Sequence, residues 1–400
     1  MQPADPIVIA AAARTPIGAL LGELAALPAH ALGAVAIRAA LERAGLANDG
    51  AAVDEVLMGN CLMAGQGQAP ARQAALGAGL PASVGAVTLS KMCGSGMRAL
   101  MFGHDMLRAG SADIVVAGGM ESMSNAPHLV RVRKGVRYGA SILLDHMALD
   151  GLEDAYERAA DGGGRAMGVY AEACAAELRC SREDQDRFAI ASTQRSQAAQ
   201  AEGGFAWELA PVTLPGAAAA VVARDELPAR ARLDRIPTLP PAFQAGGTVT
   251  AANASSISDG AAALVLMRES TALQRGCAPL ARIRAQAVHA QAPATFATAP
   301  IGAIARVLDR AGWTREDVHL WEINEAFAVV ALAAMQAHGL SHDTVNVHGG
   351  ACALGHPIGA SGARIVVTLL GALRRRGLSR GVAALCIGGG EATALAVELL

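Results

Sequence analysis

The feature that most constrains the fold is an internal repeat that relates the two ends of the chain. Four segments from the first 122 residues recur near the C-terminus, in the same order and at offsets of 265 to 270 residues. Preserved order and spacing indicate two copies of one unit that pack together. The matched pairs are LERAGL at 41–46 with LDRAGW at 308–313, Val53 with Val318, SGMRALM at 95–101 with SGARIVV at 361–367, and AGGMES at 117–122 with IGGGEA at 387–392.

The first copy alternates short apolar runs with helical patterns. Strands that alternate with helices are typical of a mostly parallel sheet covered on both faces. The matched segments 95–108 and 361–374 carry small or apolar residues around most of the helix, so both are expected in the interior. The predicted strands of this copy are 7–12, 53–58, 84–89 and 113–118, and its predicted helices are 31–44, 69–78 and 95–108.

The region between the copies differs from both, because it is polar and interrupted by prolines. After it, SDGAAALVLM at 258–267 resembles GGEATALAVEL at 389–399, so the first copy resumes there. Ser181 followed by Asp184 predicts a helix N-cap inside the region. Insertions of this size often form lids or pockets. The predicted domains are an N-terminal half formed by 1–122 plus 248–275, an inserted loop domain at 123–247, and a C-terminal half at 276–400.

Charge and cysteine content argue against several classes of function. A net charge of −2 gives no reason to expect nucleic acid or a membrane surface as a partner. The seven cysteines are odd in number and include no C-x-x-C pair, which argues against a disulfide framework and against a zinc site. The N-terminus lacks a basic segment ahead of its apolar run, unlike a signal peptide. We therefore expect a cytoplasmic protein without a metal.

Cys93 lies between an apolar strand-like run and a helix-like run that begins near Ser95. The flanking Gly94 and Gly96 allow a sharp turn and a close approach of another group. At a helix N-terminus, unpaired N–H groups and the helix dipole favour a thiolate over a thiol. The motif therefore predicts a nucleophilic cysteine. A small buried cysteine in a glycine-rich turn is the alternative interpretation.

Three further side chains occupy loops that the repeat brings to the carboxyl edge of the sheet, where ligands bind in open parallel sheets. Asn324 lies in WEINEAFA, His356 lies in VHGGACALGHPIGASGAR, and Cys386 lies in LCIGGG. Taken singly, His356 could be structural and Cys386 could be a core residue. Together with Cys93 they supply a nucleophile, a base, an amide and a second thiol within glycine-rich turns. We interpret the nearby His348 as structural and Glu325 as a helix N-terminal charge or an alternative base.

With these motifs in order, the chain resembles the thiolase family, which comprises the acetyl-CoA acetyltransferases and the 3-ketoacyl-CoA thiolases. The resemblance implies an α/β thiolase fold: two similar βαβ-type halves in a layered αβαβα arrangement, the matched helices at its centre, and an inserted loop domain. It also implies a homodimer or homotetramer that acts in fatty acid metabolism. The motifs are RTPIG at 14–18, GQAPARQAA at 67–75, KMCGSGMRA at 91–99, GGMESMS at 118–124, GTVTAANAS at 247–255, NEAF at 324–327, GHPIGASGAR at 355–364 and CIGGG at 386–390.

The resemblance also implies a role for each residue. Cys93 would carry the acyl group as a thioester, and His356 would accept the Cys93 proton. Cys386 would act as acid and base at the substrate Cα. One oxyanion hole would comprise His356 and a water held by Asn324, and the other the N–H groups of Cys93 and Gly388. The implied substrate-binding residues are Ser255 and Phe243 along the pantetheine arm, Met167 near the acyl end, and Arg230.

The implied reaction is a reversible Claisen condensation of two acetyl-CoA, or the thiolysis of a 3-ketoacyl-CoA, by a ping-pong mechanism. Such chemistry requires no metal or redox cofactor, and coenzyme A is a substrate or product. A decarboxylating ketosynthase-type enzyme is one alternative, which the second thiol, Cys386, argues against. A catalytically silent, lipid-binding thiolase-fold protein is another, although no catalytic residue is missing. A nicotinamide-dependent oxidoreductase is excluded, because no G-x-G-x-x-G opens a first βαβ unit.

Three positions depart from the pattern of the family. Ala166 stands where acetoacetyl-CoA-type members usually carry histidine, Pro240 stands where relatives carry arginine, and Arg230 in DELPAR is displaced by one residue. These departures concern the acyl-chain preference and the binding of the CoA phosphates, and they leave the catalytic set intact.

Overall fold

A computed structural model of the protein describes residues 5–47, 49–133, 135, 138–158, 163–216 and 220–400. The strands are β1 Ile7–Arg14, β2 Gly18–Ala19, β3 Glu55–Gly59, β4 Gly85–Leu89, β5 Ile114–Ser122, β6 His128–Leu129, β7 Leu144–Asp145, β8 Glu153–Arg158, β9 Gly164–Ala166, β10 Val212–Thr213, β11 Val221–Val222, β12 Ser258–Arg268, β13 Ala281–Ala290, β14 Leu320–Ile323, β15 Arg380–Ile387 and β16 Glu391–Leu399.

The helices surround and separate these strands. They are α1 Ala29–Arg43, α2 Pro70–Gly77, α3 Ser95–Ala109, α4 Met167–Glu177, α5 Arg182–Ala201, α6 Glu226–Arg230, α7 Glu269–Gln274, α8 Ala299–Ala311, α9 Ala328–His338, α10 Ala351–Leu354 and α11 Ile358–Arg376. Each predicted element of the first copy is present, with ends within four residues of the prediction.

The main sheet is mixed, so the prediction of a mostly parallel sheet is wrong. Its order is β4-β3-β5-β12-β1-β13-β16-β15-β14, and β2 also pairs with β12. Only β3 with β4, β3 with β5, and β14 with β15 run parallel. The order is symmetric about a short β1–β13 ladder that joins the two halves. Fully buried strands are apolar on both faces whatever their direction, so composition does not reveal how they pair.

Successive strand residues face different cores, which shows the layers directly. Val8 and Val116 pack with α1 and α2, whereas their neighbours Ile9 and Val115 pack with α3 and α11. In the second half, Val382 packs with α8 and α9, and Leu385 packs with the central helices. The five layers are therefore α1/α2, strands, α3/α11, strands and α8/α9, which confirms the predicted arrangement.

The central helix α11 has strands on both sides. Every residue from Ile358 to Leu373 is buried. Close packing of the two central helices requires glycine at their crossing, because a Cβ on Gly96 would lie 2.8 Å from the Ala363 backbone nitrogen. This packing holds the start of α3, which follows Cys93, beside the start of α11, which follows His356.

The region between the two copies carries helices α4 and α5 and several short strand pairs. The Ser181 hydroxyl accepts a hydrogen bond from the Asp184 N–H, and the Asp184 carboxylate accepts one from the Ser181 N–H. The predicted N-cap is therefore confirmed as a capping box. The predicted domain boundaries at 123 and 247 stay predictions. Among the described residues, no helix has both the length and the apolar character that a membrane crossing needs.

Candidate active site

Cys93 lies in a strained turn between β4 and α3. Met92, the residue before it, has a φ of 47°, a conformation that residues other than glycine rarely adopt. The Ser95 hydroxyl secures the turn, because it donates to the Met92 carbonyl at 2.7 Å and accepts from the Lys91 N–H at 2.8 Å. A Cβ on Gly94 would collide with Ile387, so only glycine lets this turn approach the end of β15. The turn therefore places Cys93 against the loop that follows Cys386.

The Cys93 thiol is protonated at neutral pH in the free protein. Burial raises its pKa to about 11, although hydrogen bonds from the Gly388 and Cys93 N–H groups act in the opposite direction. The prediction that the helix N-terminus favours a thiolate is therefore wrong for the free protein, because the loss of water outweighs the local dipoles. The thiol needs a base before it can attack.

His356 is in the protonation state that such a base requires. Its Nδ1 lies 2.6 Å from the Ser361 hydroxyl, and that hydroxyl donates its single hydrogen to the Pro357 carbonyl at 3.0 Å. The hydroxyl must therefore accept from Nδ1, so the hydrogen of the neutral ring is on Nδ1 and the lone pair is on Nε2. Nε2 is buried without a partner among the described residues. Burial, and next the charge of Arg364, lower the pKa of His356 to about 3, so the imidazole is neutral.

Asn324 directly follows β14, as predicted, whereas Cys386 is the penultimate residue of the adjacent parallel strand β15 and not part of the loop after it. The Asn324 N–H donates to the Ala384 carbonyl at 3.0 Å. Burial raises the pKa of the Cys386 thiol well above its usual value, and the nearby Cys93 raises it further. The two thiols are thus close enough for the charge of one to affect the ionisation of the other. The side-chain nitrogen of Asn324 is buried and has no partner in the described part of the chain.

The turn Gly388–Gly390 connects β15 to β16 and contributes a backbone donor. Gly389 and Gly390 adopt φ values of 97° and 82°, which favour glycine. This geometry directs the Gly388 N–H to the Cys93 sulfur. The site therefore combines two thiols, a neutral imidazole, paired N–H donors and the side-chain amide nitrogen of Asn324. Thiols suit attack on a carbonyl and proton transfer, and fixed donors suit charge that develops on oxygen.

Comparison with known proteins decides the family. The thiolase N-terminal domain matches residues 7–270, and the thiolase C-terminal domain matches residues 277–399. The chain belongs to the thiolase family. This thiolase is 50% identical to acetyl-CoA acetyltransferase 2 of Arabidopsis thaliana over 405 aligned residues, which cover 100% of this chain and 98% of the relative. It is also 50% identical to the acetyl-CoA acetyltransferase of Cupriavidus necator, with 98% of this chain and 99% of the relative covered.

Solved structures agree with the fold of this thiolase. The crystal structure of the Bacillus anthracis acetyl-CoA acetyltransferase matches it with a TM-score of 0.95 at 37% identity, over 100% of both chains. A thiolase of Ascaris suum in complex with coenzyme A matches with a TM-score of 0.92 at 40% identity, over 99% of this chain and 100% of the other. The predicted family and fold are confirmed.

Three of the predicted substrate-binding residues lie near the group of candidate residues around Cys93 and Cys386. A Cβ on Gly388 would lie 3.8 Å from the Met167 methyl carbon. Phe243 packs on Gly168 and meets Phe327 edge to face at 5.9 Å, in the apolar cluster that contains Cys386. The Ser255 N–H donates to the Ala326 carbonyl at 3.0 Å, just after Asn324.

Arg230, the fourth predicted substrate-binding residue, is not brought to this group by any described contact. Its side chain is 59% exposed and pairs with Glu226 on the same short helix. Sequence pattern could not show this, because a guanidinium four residues after a carboxylate suits both an intrahelical pair and a phosphate contact.

Two residues near this thiolase site escaped the sequence analysis. Glu121 is buried, and burial raises its pKa to about 7. Its carboxylate accepts from the Gly359 N–H at 2.9 Å, which ties the start of α11 to the end of β5. Arg364 is the one charged residue in the fully buried part of α11, Ile358 to Leu373. The sequence carried one signal for Arg364, because it is a charged residue inside a segment that was predicted to be interior.

Glu325 and His348 occupy structural positions. The Glu325 carboxylate accepts from the Ser192 hydroxyl at 2.7 Å, from the Asn346 amide at 2.8 Å and from the Cys352 N–H at 3.0 Å. His348 meets Phe205 edge to face at 5.7 Å. Among the described residues, no group of three or more histidine, cysteine, aspartate or glutamate side chains is arranged to hold a metal ion.

Proposed function

We propose that this thiolase is an acetyl-CoA C-acetyltransferase. It condenses two acetyl-CoA to acetoacetyl-CoA and coenzyme A, and it catalyses the reverse thiolysis. The observation that supports the proposal is the pair of neighbouring thiols, the partly buried Cys93 and the buried Cys386, together with a neutral His356 whose Nε2 has no partner among the described residues. The names of its relatives, acetyl-CoA acetyltransferases about half identical over the whole chain, support the same substrate.

The first half reaction loads Cys93. The Cys93 thiol gives its proton to His356 Nε2, and the sulfur attacks the acetyl-CoA carbonyl. The N–H groups of Cys93 and Gly388 stabilise the resulting oxyanion. When the carbon–sulfur bond to coenzyme A breaks, the leaving thiolate takes the proton of Cys386. The enzyme then holds an acetyl thioester on Cys93, an imidazolium at His356 and a thiolate at Cys386.

The second half reaction forms the carbon–carbon bond. The Cys386 thiolate removes a proton from Cα of the second acetyl-CoA and becomes a thiol again. The imidazolium of His356 and the amide of Asn324 stabilise the enolate oxygen, with a water as the intermediary for the amide. The enolate carbon attacks the acetyl carbonyl on Cys93, and the tetrahedral intermediate expels the Cys93 thiolate. This thiolate recovers its proton from His356, so every group returns to its starting state.

The activity assay follows directly. Purified protein supplied with acetyl-CoA alone should release coenzyme A and acetoacetyl-CoA, and initial rates of thiolysis should give parallel double-reciprocal plots, because the acyl-enzyme separates the two substrates. Six- and eight-carbon 3-ketoacyl-CoAs in the same assay define the acyl-chain range. Carbon dioxide release from malonyl-CoA, without thiolysis of acetoacetyl-CoA, would contradict the proposal in favour of the ketosynthase type.

We further propose that the enzyme is a homodimer assembled through β4. This strand is last in the sheet, and its outer edge has no strand partner among the described residues. Val87 on it is 47% exposed, and the nearby Phe102 is 41% exposed. Unpaired apolar edges favour pairing with another chain, and a twofold axis would set β4 against β4 of a second copy. Two such dimers would form the tetramer.

The edge strand can be tested with one charge. Val87→Lys would bring two cations together across the twofold axis, and we expect it to raise the dimer dissociation constant roughly 100-fold or more. Sedimentation velocity at micromolar protein measures the change. Val221→Lys is the matched control, since Val221 is 59% exposed in the separate strand β11. A dimer that persists in Val87→Lys would show that the copies meet elsewhere.

We also propose a reducing compartment, the cytoplasm, as the location of the enzyme. All seven cysteines are free. The mechanism requires both Cys93 and Cys386 as thiols, and thiols persist where glutathione and thioredoxin keep them reduced.

A further inference from the structure

Arg364 is a buried cation that the mechanism above does not use. It lies on α11, the helix that begins just after His356, and its side chain is only 2% exposed. A guanidinium removed from water is unfavourable unless neighbouring groups compensate for the lost hydration. Its burial in the central layer therefore depends on the groups that it contacts.

Both contacts of Arg364 lie at the end of β14. Nη2 donates to the Asn324 side-chain oxygen at 3.2 Å, and Nη1 lies 3.6 Å from a carboxylate oxygen of Glu322. Residues two apart in a strand face the same side, so one planar guanidinium can reach both. Arg364 thus connects the helix that follows His356 to the strand that precedes Asn324.

The chemistry of arginine fixes the orientation of the Asn324 amide. A guanidinium has five donors and no acceptor, so the amide atom that faces it must be the oxygen. The amide nitrogen then points away from Arg364, and it has no partner among the described residues. Without Arg364 the amide could rotate by half a turn and present its oxygen to the bridging water. An N–H that donates to this water strengthens the hydrogen bond that the water donates to the enolate oxygen, whereas an amide oxygen would compete with the enolate for the hydrogens of the water.

The charge of Arg364 acts on His356 as well. It disfavours the imidazolium, in the same direction as burial. The acidic residues Glu322, Glu325 and Glu208 partly balance this cation, and Arg14 adds to the local positive charge. Arg14 is itself paired with Glu208 at 2.6 Å and with Asp225 at 2.7 Å. Of these two buried arginines, Arg364 is therefore the one that contacts a residue of the candidate site, Asn324.

We propose that Arg364 is a positioning residue for the condensation half reaction: it holds the Asn324 amide with its N–H₂ toward the water that binds the enolate oxygen of the second acetyl-CoA. This inference rests on the proposed function. Because the first oxyanion is held by backbone N–H groups of Cys93 and Gly388, the orientation of Asn324 does not affect the loading of Cys93, and the Arg364 charge reaches that step only through the basicity of His356.

The test separates the two half reactions. The double variant Arg364→Met with Glu322→Gln removes the cation and leaves no unpaired buried carboxylate behind. Deuterium exchange at Cα of acetyl-CoA reports on enolate formation, and mass spectrometry of acetylated Cys93 reports on loading. We expect exchange to fall roughly 100-fold, the typical effect of losing one oxyanion donor. Loading should not fall more than about threefold below wild type, because the loss of the cation leaves His356 at least as basic. The single variant Glu322→Gln measures how much of the loss comes from the carboxylate.

A second experiment asks whether Arg364 acts through Asn324. Adding Asn324→Ala to the double variant should reduce exchange no further, because the orientation of an absent amide has no effect. If Asn324→Ala lowered exchange further in the double variant, the inference would be overturned. Equal losses in exchange and in loading would also overturn it, because they would indicate a general structural role. Full exchange without Arg364 would overturn it too. If the wild-type protein neither acetylates Cys93 nor makes acetoacetyl-CoA, the proposed function fails instead, so the two failures are distinct.

Discussion

Cys93→Ala will fold, form no acyl-enzyme, and condense acetyl-CoA at least about 10⁴-fold more slowly than the wild type, on the scale of nucleophile removal in other acyl-transfer enzymes. The loss is large because the whole reaction passes through a thioester on this sulfur. His356 Nε2 and the paired N–H groups remain in place, but no other thiol occupies the strained turn after Met92. Incubation with acetyl-CoA and digestion should place the acetyl mass on the Cys93 peptide of the wild type alone.

Cys277→Ala is the matched control for Cys93→Ala. Cys277 is a partly buried free thiol that donates to the Ala44 carbonyl, in the core that lies beneath α1. We expect full activity and normal acetylation of Cys93 in this variant. Acetyl mass on Cys386, with Cys93 free in the wild type, would contradict the assignment of the nucleophile.

Cys386→Ser will separate the two half reactions. Cys93 should still become acetylated, because His356 and the backbone N–H groups promote its attack, and a coenzyme A thiolate is a good enough leaving group to depart without the proton of Cys386. Exchange of the Cα protons of acetyl-CoA and overall turnover should each fall by about 10²–10⁴, the usual contribution of one positioned acid–base group. A serine hydroxyl fits the space but ionises far less readily than a thiol. Rapid-quench acetylation and deuterium exchange measure the two steps separately.

Cys180→Ser provides the control for this substitution. Cys180 is partly buried and packs against the same apolar cluster as Cys386, so it reports the cost of a hydroxyl in that environment. We expect exchange near the wild-type rate. If Cys386→Ser exchanges the Cα protons at the wild-type rate, another base does this work, and Cys386 has only a packing role.

Much of the candidate site could be predicted from local sequence. Cys93, Asn324, His356 and Cys386 each stand beside a strand end or a helix start, and such junctions are visible in the periodicity and glycine content of a single chain. The internal repeat then placed the four junctions in corresponding loops. Helix bounds and the Ser181 cap were predictable for the same reason, since they depend on neighbours within one turn.

Strand direction was not predictable in this way. β12 and β16 are as apolar as parallel strands, and nothing within them records which neighbour they join or in which sense. The answer depends on the path of the chain through the inserted region and through the Gly388–Gly390 turn. Arg364 was likewise visible as a charge in a segment predicted to be interior, but its partner Asn324 is 40 residues away in sequence.

By itself the sequence indicated the family, and through that resemblance the layered αβαβα fold, because the motifs are short and ordered along the chain. It also singled out four candidate residues, namely Cys93, Asn324, His356 and Cys386, because each lies in a glycine-rich or strand-end motif that the repeat relates. Only the tertiary structure decided how those groups are ionised and aimed. Burial in the centre of five layers raises the pKa of Cys93 and lowers that of His356, and a guanidinium from the central helix orients Asn324. Loss of water and contacts between distant segments exist only once the chain is folded, so no local pattern can contain them.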